Sequence, residues 1–182
     1  MKKTNIRWAI RVVVWSILLT IVLTIASSAA MEEAGYLLAF AVLIVFIIVG
    51  ILFDMIGVAA MSADESPFHS MAAHKAAGAK EAIRLVKNAD RVSSLCNDVV
   101  GDITGIISGT TMAVIVVRLV GDFSLSHLGV NLAISGFVVG LTIGGKSIGK
   151  SFAIQNSGKI VFLVARMIHR KNWLFGKLFK RR

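Results

Sequence analysis

Four long runs of apolar residues dominate the chain and restrict the folds open to it. They cover residues 8–30, 36–61, 94–120 and 128–148, with few ionisable residues inside any of them. Each run has about the 20 residues that an α-helix needs to cross a bilayer. Charged residues make up 16% of the sequence, against roughly 25% in soluble globular domains. We therefore predict an all-α integral membrane protein with four transmembrane helices in one domain, residues 1–182.

The first run has an alternative interpretation as a cleaved signal peptide. It follows a basic start, and its end, ASSAA, resembles a cleavage site. However, the apolar region of a signal peptide is usually 7–15 residues long, and this run is longer. We therefore expect the first run to be a retained membrane helix.

Lysine and arginine occur in three clusters that predict the orientation in the membrane. All of them except Arg118 lie in residues 1–11, in residues 62–93 or from Lys146 onward, and the loops MEEAG and GDFSLSH have none. By the positive-inside rule, both termini and the segment 62–93 face the cytoplasm, as expected for a bacterial plasma-membrane protein. The net charge of +10 then reflects topology and attraction to anionic lipid headgroups. It does not indicate nucleic-acid binding, because long apolar runs separate the charged clusters.

Two basic segments outside the four runs have apolar residues at roughly helical spacing. They are residues 66–93, where Ser66 and Pro67 mark a helix start, and residues 157–182, which end in KLFKRR. Such segments are typical of amphipathic helices on a membrane surface. We predict that both lie on the cytoplasmic leaflet.

Glycines recur every four residues in the last two runs. Small residues at this spacing let helix backbones approach closely, so we predict that they form packing faces. The six glycines are Gly101, Gly105, Gly109, Gly136, Gly140 and Gly144.

Ionisable residues inside the runs are the candidates for function. An ionisable group in a membrane helix costs at least about 2.5–3.5 kcal/mol on insertion scales, so it usually faces a partner or a watery cavity. Carboxylate, amide and hydroxyl oxygens are hard ligands suited to Mg²⁺. The alternative is that these residues lie at the interface and are hydrated, above all Asp98, close to the start of its run. The predicted ion site comprises Asp54, Asn97, Asp98 and Asp102, with Lys146 as an ion-pairing lysine.

Nucleotide binding and catalysis find little support in the motifs. The letters GLTIGGKS, residues 140–147, fit the phosphate-loop pattern, but they lie in a membrane run, and no acidic residue follows Asp122 to hold Mg²⁺. The four histidines are scattered, and a single cysteine, Cys96, provides no disulfide and no metal-ligand spacing. We expect no ATP binding, no enzymatic activity and no permanently bound cofactor.

The order of these features resembles the transmembrane domain of the CorB/CorC/cyclin-M magnesium transporters. FDMIGVAA (53–60) takes the place of the family's F-S-G-S-E-T-A motif, and NADRVSS (88–94) that of N-P-D-R. GKSIGKSFAIQNSGKIVFLV (145–164) takes the place of G-E-I-I-P-K-S and the residues after it. The resemblance covers roughly residues 36–170, which leaves the first helix as an addition. The regulatory CBS domains that usually come next in the family have no counterpart up to Arg182.

The resemblance implies that a homodimer transports dehydrated Mg²⁺ between these motifs, but several motif positions differ. Gly57 stands at the place of the first motif's glutamate, and Asp54 and Ile56 at those of its serines. Lys146 replaces the G-E-I-I-P-K glutamate, and Gly149 replaces its proline. A lysine at that position would repel a divalent cation, or occupy the site as a tethered cation paired with Asp54 or Asp102.

Three functional interpretations therefore stay open. The first is a divalent-cation transporter of the Mg²⁺ or Co²⁺ type that uses the relocated ligand set. The second is a non-transporting relative, in which Lys146 occupies the site and the protein acts as a structural or interaction subunit in the membrane. The third is a small-molecule or proton-coupled exporter with Asp54 and Lys146 as a proton-sensitive pair.

Overall fold

The computed structural model describes residues 6–32, 35–123 and 126–179. This part of the chain is helical throughout, with short connections and no strand. Its α-helices are α1 (Ile6–Glu32), α2 (Tyr36–Ser62), α3 (Ser66–Ala73), α4 (Ala79–Lys87), α5 (Ala89–Ser93), α6 (Asp102–Phe123), α7 (His127–Gln155) and α8 (Ser157–Phe179). A π-helical segment, Ser94–Gly101, joins α5 to α6 without a break.

Four helices are long and apolar enough to span a membrane, which confirms the predicted class of all-α membrane protein. The four spans are Ile10–Ser27, Tyr36–Ser62, Ala89–Phe123 and His127–Gln155. The third begins before the predicted residue 94, because α5 and the π segment extend it in one continuous helix. The fourth continues past residue 148 to Gln155.

Helix α2 lies at the centre of the bundle and packs against α6, the π segment and α7. Its buried face begins with Ala39, Leu43 and Ile47, which form a core with Ile115 of α6 and Val138 of α7. The spacing of four residues places the α2 members on one face of the helix. This face continues along α2 toward the buried Asp54.

Helices α3, α4 and α8 form a second layer at one end of the bundle. Their apolar residues share a core with Ala59 of α2 and Ala153 of α7, and the buried members include Phe68, Ala82 and Val161. Most of the lysines and arginines in the described residues surround this layer, and we refer to this end of the bundle as the basic end.

The predicted amphipathic segment 66–93 consists of α3, α4 and α5, separated by short turns. Of the predicted segment 157–182, residues 180–182 lie outside the described part.

Helix α1 packs on the outside of this bundle. Val12 and Leu23 contact a core of Val99, Ile103 and Ile107 on the π segment and α6. Most of the α1 residues that the structure describes are exposed. The bundle that positions the candidate site is therefore built mainly from residues after α1.

Candidate ion site between the membrane helices

Asp54 is buried in the middle of the bundle, with 4% of its surface exposed. It lies on the same face of α2 as Gly50 and Gly57, since four and three residues correspond to about one helical turn. Both glycines face the third span. A carboxylate at this position is costly in a membrane protein unless a charge or a ligand compensates it.

The two glycines beside Asp54 let the third span approach α2 closely. A Cβ on Gly57 would lie 2.5 Å from Asn97 Oδ1, and one on Gly50 would lie 2.7 Å from Thr104 Oγ1. Residue numbers rise along α2 as they fall along the third span, so the two helices are antiparallel. Asp54 therefore faces the segment between Asn97 and Thr104.

Two buried side-chain oxygens in this region have no hydrogen-bond partner among the described residues: Asp54 Oδ2 and Asn97 Oδ1. The Asn97 amide nitrogen donates to Ser93 Oγ at 3.1 Å, which leaves its carbonyl oxygen directed toward Gly57. Buried polar atoms in native proteins nearly always have a partner. Two unpartnered acceptors on facing helices, one of them on a carboxylate, are therefore suited to a cation.

The predicted ligands of the third span lie in different environments. Asn97 is half-buried and faces α2, whereas Asp98 and Asp102 are exposed on the outside of the bundle. The structure thus brings Asn97 to the same interface as Asp54 and leaves the other two carboxylates outside it. Within the described residues, no group of three or more His, Cys, Asp or Glu side chains could hold a metal ion.

Asp54 forms its ion pair with Lys150, whose Nζ lies 3.7 Å from Asp54 Oδ2. The sequence prediction placed this pairing at Lys146. The difference follows from helix register: Gly145 packs against Ile51 and Gly149 against Met55, so α2 and α7 run in parallel. The contact at Gly149 brings the next residue, a lysine, beside Asp54.

Lys146 lies one turn before Lys150 and is directed into a cavity between α2, α6 and α7. Its Nζ is 3.8 Å from the point where a Cβ on Gly101 would lie. Among the described residues, no carboxylate lies within 4.0 Å of this ammonium. The two lysines of α7 therefore have different neighbours: one pairs with Asp54 and the other lines the cavity.

The glycines that make close helix contacts differ from most of those predicted to do so. Gly50, Gly57, Gly145 and Gly149 pack directly against neighbouring side chains. Gly101 is in ordinary contact with its surroundings, and the other five predicted glycines have nothing within 4 Å of an added Cβ: Gly105, Gly109, Gly136, Gly140 and Gly144. In α7 the glycines in close contact, Gly145 and Gly149, begin one residue after the predicted Gly144. They are also four residues apart, so the same spacing rule could have identified them.

The motif GLTIGGKS, residues 140–147, lies entirely within α7. A phosphate loop requires an irregular glycine-rich segment between a strand and a helix, whose free backbone N–H groups hold the phosphates. Inside a helix, these groups bond to carbonyls one turn earlier. The letters of the motif here belong to a membrane helix.

Comparison with protein families identifies the domain. The family of cyclin M transmembrane N-terminal domains matches residues 42–179, from early in α2 to the end of α8. The chain belongs to this family. Searches of curated proteins and of solved structures gave no match.

The family assignment confirms the resemblance to the CorB/CorC/cyclin-M transmembrane domain. The cyclin M match contains the buried Asp54, Asn97 on the π segment and both lysines of α7, whereas α1 precedes it. Cyclin M domains are membrane domains of a transporter type and are associated with divalent-cation transport.

Proposed function

We propose that this cyclin M domain transports a divalent cation of the Mg²⁺ or Co²⁺ type across the membrane, with the cation bound between α2 and the π segment. The observation that supports this function is that two buried oxygens, Asp54 Oδ2 and Asn97 Oδ1, have no hydrogen-bond partner among the described residues. Carboxylate and amide oxygens are the ligands that Mg²⁺ prefers. One carboxylate supplies a single negative charge, so the cation retains water or main-chain oxygens as its other ligands.

In this proposal, Lys150 compensates the charge of Asp54 while the site holds no cation. The 3.7 Å separation exceeds hydrogen-bonding distance, and the lysine side chain is 51% exposed. Lys150 can therefore move into water when a cation arrives, whereas Asp54 stays buried. The exchange keeps the buried carboxylate neutralised in both states.

The arrangement in the membrane is part of the same proposal. The basic end faces the cytoplasm and its anionic headgroups, in agreement with the positive-inside rule. Both termini are then cytoplasmic, and the protein works as a homodimer in a bacterial plasma membrane. Asp98 and Asp102 are exposed on the outside of the bundle and are not part of the proposed site.

Cation flux into proteoliposomes tests the proposed site. Asp54→Asn and Asn97→Ala are expected to lower Mg²⁺ uptake at least tenfold, because the first removes the negative charge of the proposed site and the second removes the Asn97 oxygen. Asp98→Asn is the matched control, since it neutralises a carboxylate on the exposed side of the same region and is expected to retain most of the uptake. Equal losses in all three variants, or wild-type uptake in Asp54→Asn, would contradict a site between α2 and the π segment.

A second candidate is a non-transporting relative that serves as a structural or interaction subunit. The observation in its favour is that two lysines of α7, Lys146 and Lys150, lie close to the interior where related transporters are expected to hold a cation. Mg²⁺-dependent thermal stabilisation of the wild type and of Lys146→Glu distinguishes the two candidates. A response in both proteins supports the transporter. A response in Lys146→Glu alone supports the non-transporting relative, and no response in either contradicts an ion site.

A further inference from the structure

A cavity of about 440 Å³ lies between α2, α6 and α7. Its walls are mainly apolar, with Phe46, Ile47 and Val138 among the residues that line it. The cavity is within three of the four membrane spans. It lies on the side of Lys146 away from the basic end.

The hydroxyl groups in the cavity wall have hydrogen-bond acceptors on their own helices. Thr104 donates to Gly101 O at 2.9 Å, Ser108 to Thr104 O at 2.7 Å and Thr142 to Val138 O at 2.7 Å. These hydroxyls therefore do not require water or a polar ligand. A wall of this kind is suited to a hydrocarbon chain.

The side of the cavity is open between α6 and α7. Gly105 and Gly109 on α6 are exposed, as are Val139 and Ile143 on α7, and all four line the cavity. An added Cβ on either glycine would have nothing within 4 Å. A molecule in the surrounding bilayer can therefore enter from the side.

Lys146 supplies one positive charge at the end of the cavity nearest the basic end. It is half-buried, and in the described part of the chain it has no carboxylate within 4.0 Å. Basic pockets between transmembrane helices on the cytoplasmic side are typical sites for anionic lipid headgroups. The charge and the apolar wall together fit a molecule with an anionic head and a long apolar chain.

We propose that the cavity binds an anionic phospholipid, with its phosphate on Lys146 and one acyl chain along the glycine-lined wall. The position at membrane depth and the side opening favour a bilayer lipid over a soluble phosphate. This site is separate from the proposed cation function, because its ligands are Lys146 and the cavity wall and not Asp54 or Asn97.

Native mass spectrometry of the purified protein with added phosphatidylglycerol or phosphatidylcholine tests the lipid site. The wild type is expected to bind phosphatidylglycerol at least tenfold more tightly. Lys146→Gln is expected to remove this preference, and Lys146→Arg, which retains the charge, to keep it. Lys159→Gln is the matched control, because this exposed lysine of α8 lies outside the cavity.

A second pair of variants tests the apolar wall. Gly105→Leu fills the cavity and is expected to lower phosphatidylglycerol binding about tenfold. Gly136→Leu also projects into open space but does not line the cavity, so binding is expected to stay unchanged. Equal binding of the two lipids by the wild type would overturn the proposal. Displacement of the lipid by glycerol phosphate alone would also overturn it, because the acyl chain would then not contribute to binding. A Gly105→Leu variant that no longer dimerises but still binds the lipid would overturn it as well.

Discussion

The Lys150 ammonium lies 3.7 Å from the Asp54 carboxylate, where α7 packs in parallel against α2. One partner is buried and the other is half exposed, so the pair can open from the lysine side alone. A mobile cation and the lysine would compete for the same carboxylate. The pair thus links the stability of the bundle to occupancy of the proposed cation site.

Replacement of Lys150 by glutamine is expected to destabilise the protein in the absence of divalent cations. The variant leaves Asp54 buried without a compensating charge. The free energy of unfolding is expected to fall by about 1–3 kcal/mol, which lies between the typical effects of breaking a surface ion pair and a buried one. Added Mg²⁺ is expected to restore the thermal unfolding midpoint, and at lower concentration than the wild type requires, because its competitor is gone.

Lys159→Gln serves as the control for this measurement, since that lysine is exposed on α8 and has no carboxylate within 4.0 Å among the described residues. Its unfolding midpoint and its Mg²⁺ response are expected to match those of the wild type. If Lys150→Gln were as stable as the control at every Mg²⁺ concentration, the ion pair would have no role in the site.

Alanine at Gly57 is expected to disturb the contact between α2 and the π segment. The added Cβ would lie 2.5 Å from Asn97 Oδ1 and 3.0 Å from Asn97 Cγ, so the two helices must separate or Asn97 must rotate. Overpacking of this kind costs about 1–3 kcal/mol, partly offset by the higher helix propensity of alanine. We expect a lower unfolding midpoint and weaker stabilisation by Mg²⁺.

Gly105→Ala is the matched control, because its Cβ has nothing within 4 Å. At this position the substitution changes only the helix propensity, which is higher for alanine than for glycine. The variant is therefore expected to be at least as stable as the wild type. The comparison separates close packing from the general effect of a glycine in a helix. Equal stability of the two variants would show that Gly57 does not need to be small.

The sequence predicted the membrane helices, and it predicted that Asp54 faces a partner or a watery cavity, for physical reasons that hold along one helix. A run of apolar residues has to lie in the bilayer, and a carboxylate among them has to be compensated. Gly50 and Gly57 lie four and three residues from Asp54, so their place on the same face of α2 also follows from spacing. These inferences need only the spacing of residues within one helix, and that spacing can be read directly from the sequence.

Contacts between helices were harder to predict. Glycine pairs four residues apart occur in two registers of α7, at 140 and 144 and at 145 and 149, and only packing against Ile51 and Met55 selects the second. The same register makes Lys150 the partner of Asp54. Asn97 and Asp98 are adjacent and so point about 100° apart around the helix, and the apolar pattern did not show which of the two faces α2.

The contact between Glu81 of α4 and His169 of α8 is expected to weaken in acid. His169 Nδ1 lies 3.0 Å from Glu81 Oε1, and this hydrogen bond holds the pKa of Glu81 below its usual value although burial acts in the opposite direction. A lowered folded-state pKa contributes stability above the unfolded-state pKa, near 4.5, and this contribution is lost as the pH falls through the folded-state value.

Hydrogen exchange of the α4 amides at pH 7 and at a series of pH values from 4.5 down to 3 measures this effect. The wild type is expected to lose protection progressively over the acidic series, whereas Glu81→Gln is expected to have low protection at every pH. Asp122→Asn is the comparison, because this carboxylate accepts a hydrogen bond from Tyr36 and lies at the end of α6, which does not contact α4. A pH effect that persists in Glu81→Gln would exclude this contact as its cause.

Alanine at Gly78 is expected to detach α4 from α8. Gly78 has a φ of +92° and closes the turn before α4, a conformation that a residue with a Cβ rarely adopts. Its Cβ would also lie 3.1 Å from the backbone nitrogen and Cα of Arg166, and backbone atoms inside a helix cannot move aside as a flexible side chain can. Because backbone strain and this close contact add to one another, we expect the free energy of unfolding to fall by at least about 1–3 kcal/mol. The measurements are the thermal unfolding midpoint and the amide protection of α4, both of which should decrease.

Gly158→Ala is the control, because this glycine in the first turn of α8 has nothing within 4 Å of an added Cβ. If both variants kept wild-type protection in α4, the basic end would not depend on this turn.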